Sequence, residues 1–482
     1  MAANVSNIDV ILKHDVINVP ECPHGPTLLF ERYGKGDETV KRFFACSAFR
    51  DRKECPFFQW EGEKVSEAKM HLREKHNQVQ QLPFSHEECY NRLKKLKELP
   101  VDQLSFCKKC GLLLFPEETS NHEVKGHDIQ FSVTSKMLNH PTELFSPLDN
   151  NKTFAQYLFS KSAVDFLIKT LSDADITHVL CVGTPRLHEA IQNLSDDGTR
   201  SLSSLLLDLD HRYMQVYHDV VFCQYNMFNH HFFGGEKSKS VFHQFVKEEK
   251  GKTVAMVMDP PFGGMVEALA ATMDKIVHTW KTLSNKSDGT QLPVFWIFPY
   301  FMENRITQCV QKFSMLDYKV AYDNHALFTG GPMSKKKKRS PVRIFTNLPP
   351  DSVVLPLDQG YWFCQKCSRY SAPENKHCEL CGVCPSKDGT TYVHCDKCGR
   401  CVKPSRFHCD SCGTCQQQDH RCGVSRPAGC HVCGSLEHKR RQCPRKLNLS
   451  SAEKSGRSIE DEDAPPKKRK KKRARKKRNQ ER

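Results

Sequence analysis

Fifteen of the 24 cysteines lie between Cys364 and Cys443, most of them in Cys-x2-Cys pairs with a histidine close by. Thiolate and imidazole at that spacing are the preferred donors of tetrahedral zinc, so this part of the chain is expected to fold around metal. The opening stretch MAANVSNIDVILKH has no apolar signal-peptide core, which points to a reducing compartment and makes disulfides the minor reading. No stretch approaches the roughly 18 to 20 consecutive apolar residues of a membrane span, so a soluble protein is expected. At 482 residues the chain exceeds one ordinary core. A catalytic-sized domain of about 200 residues flanked by smaller modules is the expected arrangement.

The first module spans residues 19–64 and holds Cys22, His24, Cys46 and Cys55, four donors suited to one zinc. The strings CPHGP, KRFFAC and CPFFQW around them resemble the GRF zinc finger. That resemblance implies binding of single-stranded nucleic acid through Arg42, Phe43, Phe57, Phe58 and Trp60. His24 stands where the family often has cysteine, and zinc accepts either. A purely stabilising finger with an aromatic mini-core is the alternative. Residues 65–100 read as a helical linker. Over 101–130, Cys107-x2-Cys110-x11-His122-x4-His127 has Cys2His2 spacing. Standing alone rather than in a tandem array, it reads as a structural spacer or RNA contact rather than a major-groove reader.

Residues 150–347 alternate helical and strand patterns, which predicts an α/β domain with a largely parallel sheet. Residues 154–171 place apolar side chains at helical spacing. Strands are expected in THVLCVG (177–183), SLLLD (204–208), DVVFCQY (219–225), TVAMVMD (253–259) and VFWIFP (294–299), with a final pair around YKVAY (318–322) and VRIFT (342–346). Asp259-Pro260-Pro261-Phe262 directly follows the fourth of these runs, and ligands of open α/β sheets bind at the carboxyl ends of strands. The Asp259 carboxylate and the Pro260 carbonyl are two hydrogen-bond acceptors at that strand end, each able to accept one hydrogen of an amine and so orient its nitrogen. The two prolines restrict the backbone, and Phe262 offers a face for an unpaired base.

Here the chain resembles the Rossmann-like class I amino-methyltransferases, whose (D/N/S)-P-P-(Y/F/W) signature follows the fourth strand. The resemblance implies S-adenosylmethionine as cofactor. Gly183, Thr184 and Pro185 would turn against its methionine part, and Asp208, with Asp210 as competitor, would pair with the ribose hydroxyls. Asn226, Met227 and Phe228 would bound the adenine, and Gln156 and Tyr157 would close over the cofactor beside Asp259.

Residues 360–425 open with Cys364 and Cys367 and repeat a unit: His377-Cys378-x2-Cys381-x2-Cys384, His394-Cys395-x2-Cys398-x2-Cys401, His408-Cys409-x2-Cys412-x2-Cys415, closing on His420 and Cys422. These sixteen ligands suffice for two to four zincs whose pairing the spacing leaves open. The stretch resembles the cysteine-rich zinc domain of DHHC palmitoyltransferases. Arg421 replaces the second histidine of their tetrad, and no membrane span is at hand, so a zinc scaffold is expected rather than an acyltransferase.

Over 427–446, Cys430-x2-Cys433-x4-His438-x4-Cys443 has the spacing of a CCHC knuckle, a module that grips unpaired RNA bases. Lys439, Arg440 and Arg441 add phosphate contacts, and a structural-only knuckle is the alternative. The net charge is +16, and residues 465–482 carry twelve Lys/Arg against one Glu. Residues 447–482 are therefore expected to be a disordered basic tail, acting as a nuclear or nucleolar address and phosphate-binding arm, or merely as a solubiliser. The run Lys335 to Arg339 reads as an RNA-facing loop.

In this order the modules resemble the zinc-knuckle ribosomal-RNA adenine-N6 methyltransferases of animals. The resemblance implies N6-methyladenosine formation at one adenosine of large-subunit (28S) ribosomal RNA, zinc as a second cofactor, ribosome-biogenesis proteins as partners, and a nucleolar site with some cytoplasmic protein. Two other readings stand: a glutamine-N5 protein methyltransferase, and a non-catalytic RNA-binding assembly factor.

Overall fold

The computed structural model describes residues 8–14, 16, 18–33, 40–49, 51–79, 84–147, 156–196, 202–325 and 340–422. The expected CCHC knuckle, with Cys430, Cys433, His438 and Cys443, the basic tail and the Lys335–Arg339 run lie outside the described residues.

The catalytic-sized domain is built on an eight-stranded sheet. Its strands are β1 (His178–Val182), β2 (Ser203–Asp208), β3 (Phe222–Asn226), β4 (Val254–Met258), β5 (Val294–Pro299), β6 (Ser314–Leu316) and β7 (Val342–Thr346), with the two-residue strand His231–Phe232 at one edge. From that edge the order runs β3-β2-β1-β4-β5-β7-β6. The first five are parallel, and β7 runs antiparallel to both β5 and β6. The chain winds outward from β1 to β3, then crosses to β4 on the other side of β1. The carboxyl ends of β1 and β4 are thus the switch point where such sheets hold ligands.

Alternate residues of each strand enter two separate cores. Val179, Cys181, Leu206, Val257 and Ile297 pack on α1 (Lys161–Asp173) and α2 (Pro185–Asp196). Leu180, Val182, Leu205, Met256 and Trp296 pack on α3 (Gly235–Val246) and α4 (Val266–Leu283). Burial on both faces is why these strands read as continuous apolar runs. The Ser160 hydroxyl caps α1 by accepting from the Ala163 N–H, and the buried stripe Val164, Leu167, Ile168, Leu171 faces the sheet.

Two expectations change. The helix expected over 154–171 begins at Lys161 and ends at Asp173. The strand expected at 318–322 is the neighbouring Ser314–Leu316. Tyr318, Val320 and Tyr322 are buried, but the segment meets the sheet through the Val320 N–H, which donates to the Val342 carbonyl of β7 at 3.2 Å, and Tyr322 bridges to Phe159, while its rings pack against α1 and the chain leading into it, so no continuous ladder forms.

The flanking modules share the cores of this domain. Leu29, Phe43, Phe44 and Phe57 of the first finger continue the α3/α4 core. Leu93 and Leu96 of the linker helix His86–Lys97, with Phe106 and Leu113 of the second finger, continue the α1/α2 core. The linker is helical as expected, over Glu67–Val79 and His86–Lys97. The cysteine-rich region starts against β6 and β7: the buried Asp317 carboxylate accepts from the Ala372 N–H at 2.7 Å and from Asn375 Nδ2 at 2.8 Å. Arg343, fully buried on β7, donates to the Lys387 carbonyl at 3.0 Å. No helix among the described residues is long and apolar enough to cross a membrane.

Candidate active site and metal centres

Strand β4 is apolar and buried throughout, and Pro260 and Pro261, which have no N–H to donate, end its ladder. The Asp259 N–H donates to the Val182 carbonyl at 3.1 Å, which holds the acid beside the end of β1. Its Oδ1 accepts from the Tyr322 hydroxyl at 2.9 Å. Asp259 keeps partial exposure to a cavity while the surrounding protein crowds out bulk water. Burial pushes its carboxyl well above the ordinary range, and the Tyr322 hydrogen bond opposes that shift. Rings gather beside it: Tyr157 stacks on Phe262 with centroids 5.4 Å apart and lies 4.4 Å from His325, and Tyr322 meets Phe262 edge-on at 6.0 Å.

The cavity lies at the strand ends and brings together Gln156, Tyr157, Gly183, Asp208, Asn226, Met227, Phe228, Asp259, Pro260, Pro261 and Phe262. Gly183 has φ +66°, and a Cβ there would come within 3.2 Å of the Asp259 carbonyl oxygen, so only glycine lets the β1 turn pass this close to β4. Thr184 and Pro185 do not line the cavity. Thr184 is buried beneath the turn, and Pro185 opens α2, where its missing N–H costs nothing.

Asp208 ends β2, buried, and its Oδ1 accepts from the Asp210 N–H at 2.9 Å. Burial, reinforced by the Asp210 carboxylate, pushes its carboxyl up to about 7. Asp210 is held by Arg212 through charge-assisted bonds, Nε to Oδ1 at 2.8 Å and to Oδ2 at 3.1 Å, and Nη2 to Oδ2 at 2.6 Å. The second finger braces this corner: Gln215 accepts from the Leu113 N–H at 2.9 Å and donates to the Gly111 carbonyl at 2.6 Å.

Asn226 lines the cavity, but its amide is committed elsewhere. Nδ2 donates to the His24 carbonyl at 2.7 Å and to Ser47 Oγ at 2.8 Å, and Oδ1 accepts from the Phe228 N–H at 3.0 Å. The wall facing the strand ends includes Pro23, His24, Ala48 and Phe49 of the first finger. Of the residues expected there to touch nucleic acid, Phe43 and Phe57 are buried in the finger and Arg42 pairs with Glu31 at 3.2 Å, while Trp60 is exposed.

Tetrahedral zinc with bonds of about 2.3 Å to sulfur and about 2.05 Å to nitrogen holds its donor atoms roughly 3.3 to 3.8 Å apart. The donor groups match. Cys46 Sγ lies 3.5 Å from His24 Nδ1, with Cys22 and Cys55 completing that group. In the second finger, Cys107 and Cys110 lie 3.5 and 3.4 Å from His127, and His122 closes the set.

The cysteine-rich region resolves into four interleaved sites: Cys364, Cys367, His377 and Cys384; Cys378, Cys381, His394 and Cys401; Cys395, Cys398, His408 and Cys415; and Cys409, Cys412, His420 and Cys422, in which Cys409 Sγ is 3.5 Å from Cys422 Sγ and Cys412 Sγ is 3.5 Å from His420 Nε2. Each repeated unit is therefore split. Its histidine and last cysteine close one site, and its first two cysteines open the next.

Residues not foreseen from the sequence are the finger wall, the Arg212–Gln215 brace, Tyr322 and His325. All owe their place to contacts between segments far apart in the chain, so no local pattern marks them. The described zinc donors were all legible in their spacing.

Residues 150–330 match the family model described as probable N6-adenine methyltransferase, and residues 20–64 match the GRF zinc finger. The chain is 49% identical over 457 residues to rRNA N(6)-adenosine-methyltransferase ZCCHC4 of Homo sapiens, covering 94% of this chain and 88% of that protein. The protein of the same name from Xenopus tropicalis is 49% identical, covering 91% and 89%. That from Mus musculus is 48% identical, covering 94% and 88%.

Proposed function

The chain belongs to the rRNA N6-adenosine-methyltransferase family, and from that premise we propose that its substrate is one adenosine of large-subunit (28S) ribosomal RNA, methylated in the nucleolus among ribosome-biogenesis proteins. The observation that carries the chemistry is the Asp259 carboxyl at the end of β4, gripped by Tyr322 and opening on the cavity at the switch point. S-adenosylmethionine, when bound, supplies an electrophilic methyl group. Asp259 Oδ and the Pro260 carbonyl accept the two N6 hydrogens of the adenine, which frees the nitrogen lone pair from the ring and aims it. Phe262, with Tyr157 and His325 beside it, gives the base an aromatic surface once it leaves the stack.

Asp208 suits the ribose of the cofactor, because a buried carboxyl with a raised pKa gains from hydroxyl donors. Those donors pair with the ionised form, so cofactor binding below pH 7 must expel a proton. Affinity for S-adenosylhomocysteine should rise about fivefold from pH 6 to pH 7, about twofold more by pH 8, and then level off. Calorimetry in two buffers of different ionisation enthalpy should show about one proton released at pH 6. Affinity that is flat from pH 6 to 8 with no proton release would remove Asp208 from this role.

Support for the ribosomal substrate comes from the relatives, and from the knuckle spacing and basic tail in the sequence, which suit unpaired RNA and a nucleolar address. The test is transfer of tritiated methyl from S-adenosylmethionine by the purified protein into total RNA from cells lacking it, followed by nucleoside analysis of each RNA class. Label is expected as N6-methyladenosine in large-subunit ribosomal RNA; label confined to another RNA class overturns that substrate.

A further inference from the structure

We propose that the first zinc finger is a working part of the cofactor site, with Phe49 a cofactor-contacting residue, and that zinc in this finger sets cofactor affinity. The proposal rests on the reading that the cavity at the strand ends holds S-adenosylmethionine.

The finger contributes Pro23, His24, Ala48 and Phe49 to that cavity. All four belong to the turns that present zinc donors: Pro23 precedes the ligand His24, and Ala48 and Phe49 follow the ligand Cys46 by two and three residues. The Phe49 N–H donates to Cys46 Sγ at 3.3 Å, and its ring meets the His24 imidazole edge-on, centroids 4.7 Å apart. Phe49 is therefore tied to two zinc ligands, through its backbone and through its ring. Without metal, Cys46 and His24 have no common partner, and the wall they carry loses its anchor.

The same turns are clamped to the methyltransferase domain. Asn226, at the end of β3, donates to the His24 carbonyl and Ser47 Oγ at 2.7 and 2.8 Å. Asn229 donates to the Pro26 carbonyl at 2.7 Å. Gly25, at φ +85°, faces the His231 ring so closely that a Cβ would come within 2.5 Å of it, so a side chain there would strain the turn and displace the ring. Strand β3 pairs with β2, which ends in Asp208, so the clamp registers the finger against the ribose and adenine end of the cavity. A flat aromatic ring there offers an adenine the stacking or edge contact it favours. Coupling between two binding events is reciprocal, so zinc strengthens cofactor binding and cofactor retains zinc by the same factor.

The test uses the full-length zinc-loaded protein and S-adenosylhomocysteine as probe. Phe49→Ala should raise the calorimetric Kd about tenfold, with zinc per chain and RNA affinity as in the parent. A Kd within twofold of the parent overturns the proposal. If Phe49→Ala loses zinc, Phe49→Leu keeps the packing bulk without the aromatic face. It should hold zinc and still bind the probe several-fold more weakly, and parental affinity in that variant is equally fatal. Saturating probe should slow chelator extraction of one zinc per chain, and superimposable release curves overturn the coupling. A parent protein that binds no probe overturns the cofactor reading itself, a result separable from failure of the Phe49 variants alone.

Discussion

Replacing Asp259 by alanine lowers methyl transfer by about a thousandfold and leaves RNA affinity intact, because the residue aims the reacting nitrogen and is not needed to hold the polynucleotide. The measurement pairs single-turnover methylation with anisotropy on the same RNA; equal loss of both would mean that Asp259 supports the fold or the RNA surface instead. The acid side of the pH profile gives an independent check. Asp259 accepts N6–H when ionised, and burial holds its pKa well above the carboxylate range, so activity falls as pH drops through that raised value. The Tyr322 hydrogen bond pulls the pKa down, so Tyr322→Phe moves the acid limb to higher pH. A limb unmoved by Tyr322→Phe would assign it to another group.

Replacing Arg212 by alanine should be among the most destabilising single changes in the chain. Its side chain is 8% exposed and that of Asp210 is 3% exposed, so removing the cation leaves a buried carboxylate without its partner. Breaking such a pair costs about 3 to 5 kcal/mol, a large share of the roughly 5 to 15 kcal/mol that holds a domain folded. The expected readout is a fall of about 10 °C in the main thermal transition. The Asp210→Asn, Arg212→Met double variant removes both charges and should recover much of that loss. The Arg212 cation also lowers the Asp208 pKa, so Arg212→Ala should weaken S-adenosylhomocysteine binding at pH 7 beyond any loss of folded protein. A transition shifted by less than 2 °C would show that the pair is not the brace described.

The sequence made the parallel strands readable because each is apolar on both faces, and β5 and β7 fall where VFWIFP and VRIFT placed them. The 318–322 segment misled through a different pattern. Tyr318, Val320 and Tyr322 alternate as a strand would, yet their burial comes from α1 and Phe159 rather than from a second sheet neighbour. Asp259 was singled out because strand ends in an open sheet are where ligands sit, and Asp208 and Gly183 through the methyltransferase resemblance; all three line the cavity. Asn226 lines the cavity, but its partners could not be foreseen: the His24 carbonyl and Ser47 hydroxyl are about two hundred positions away in the chain. Thr184 and Pro185 show the limit of a short motif, since Gly183 lines the cavity while the next two residues lie away from it, at the start of α2.

The interleaved cysteine-rich sites bear on how this region can change over evolutionary time. Each unit closes the site before it and opens the one after, so it acts as a link rather than a bead. Loss of one whole link, such as the 14 residues from His394 to Phe407, lets the preceding cysteine pair meet the next histidine and cysteine, and the chain of sites re-forms one metal shorter. A deletion that cuts through a link leaves two half-sites that do not match. Descendants of such an array can lengthen or shorten only in whole links, while the boundaries within each link stay under constraint.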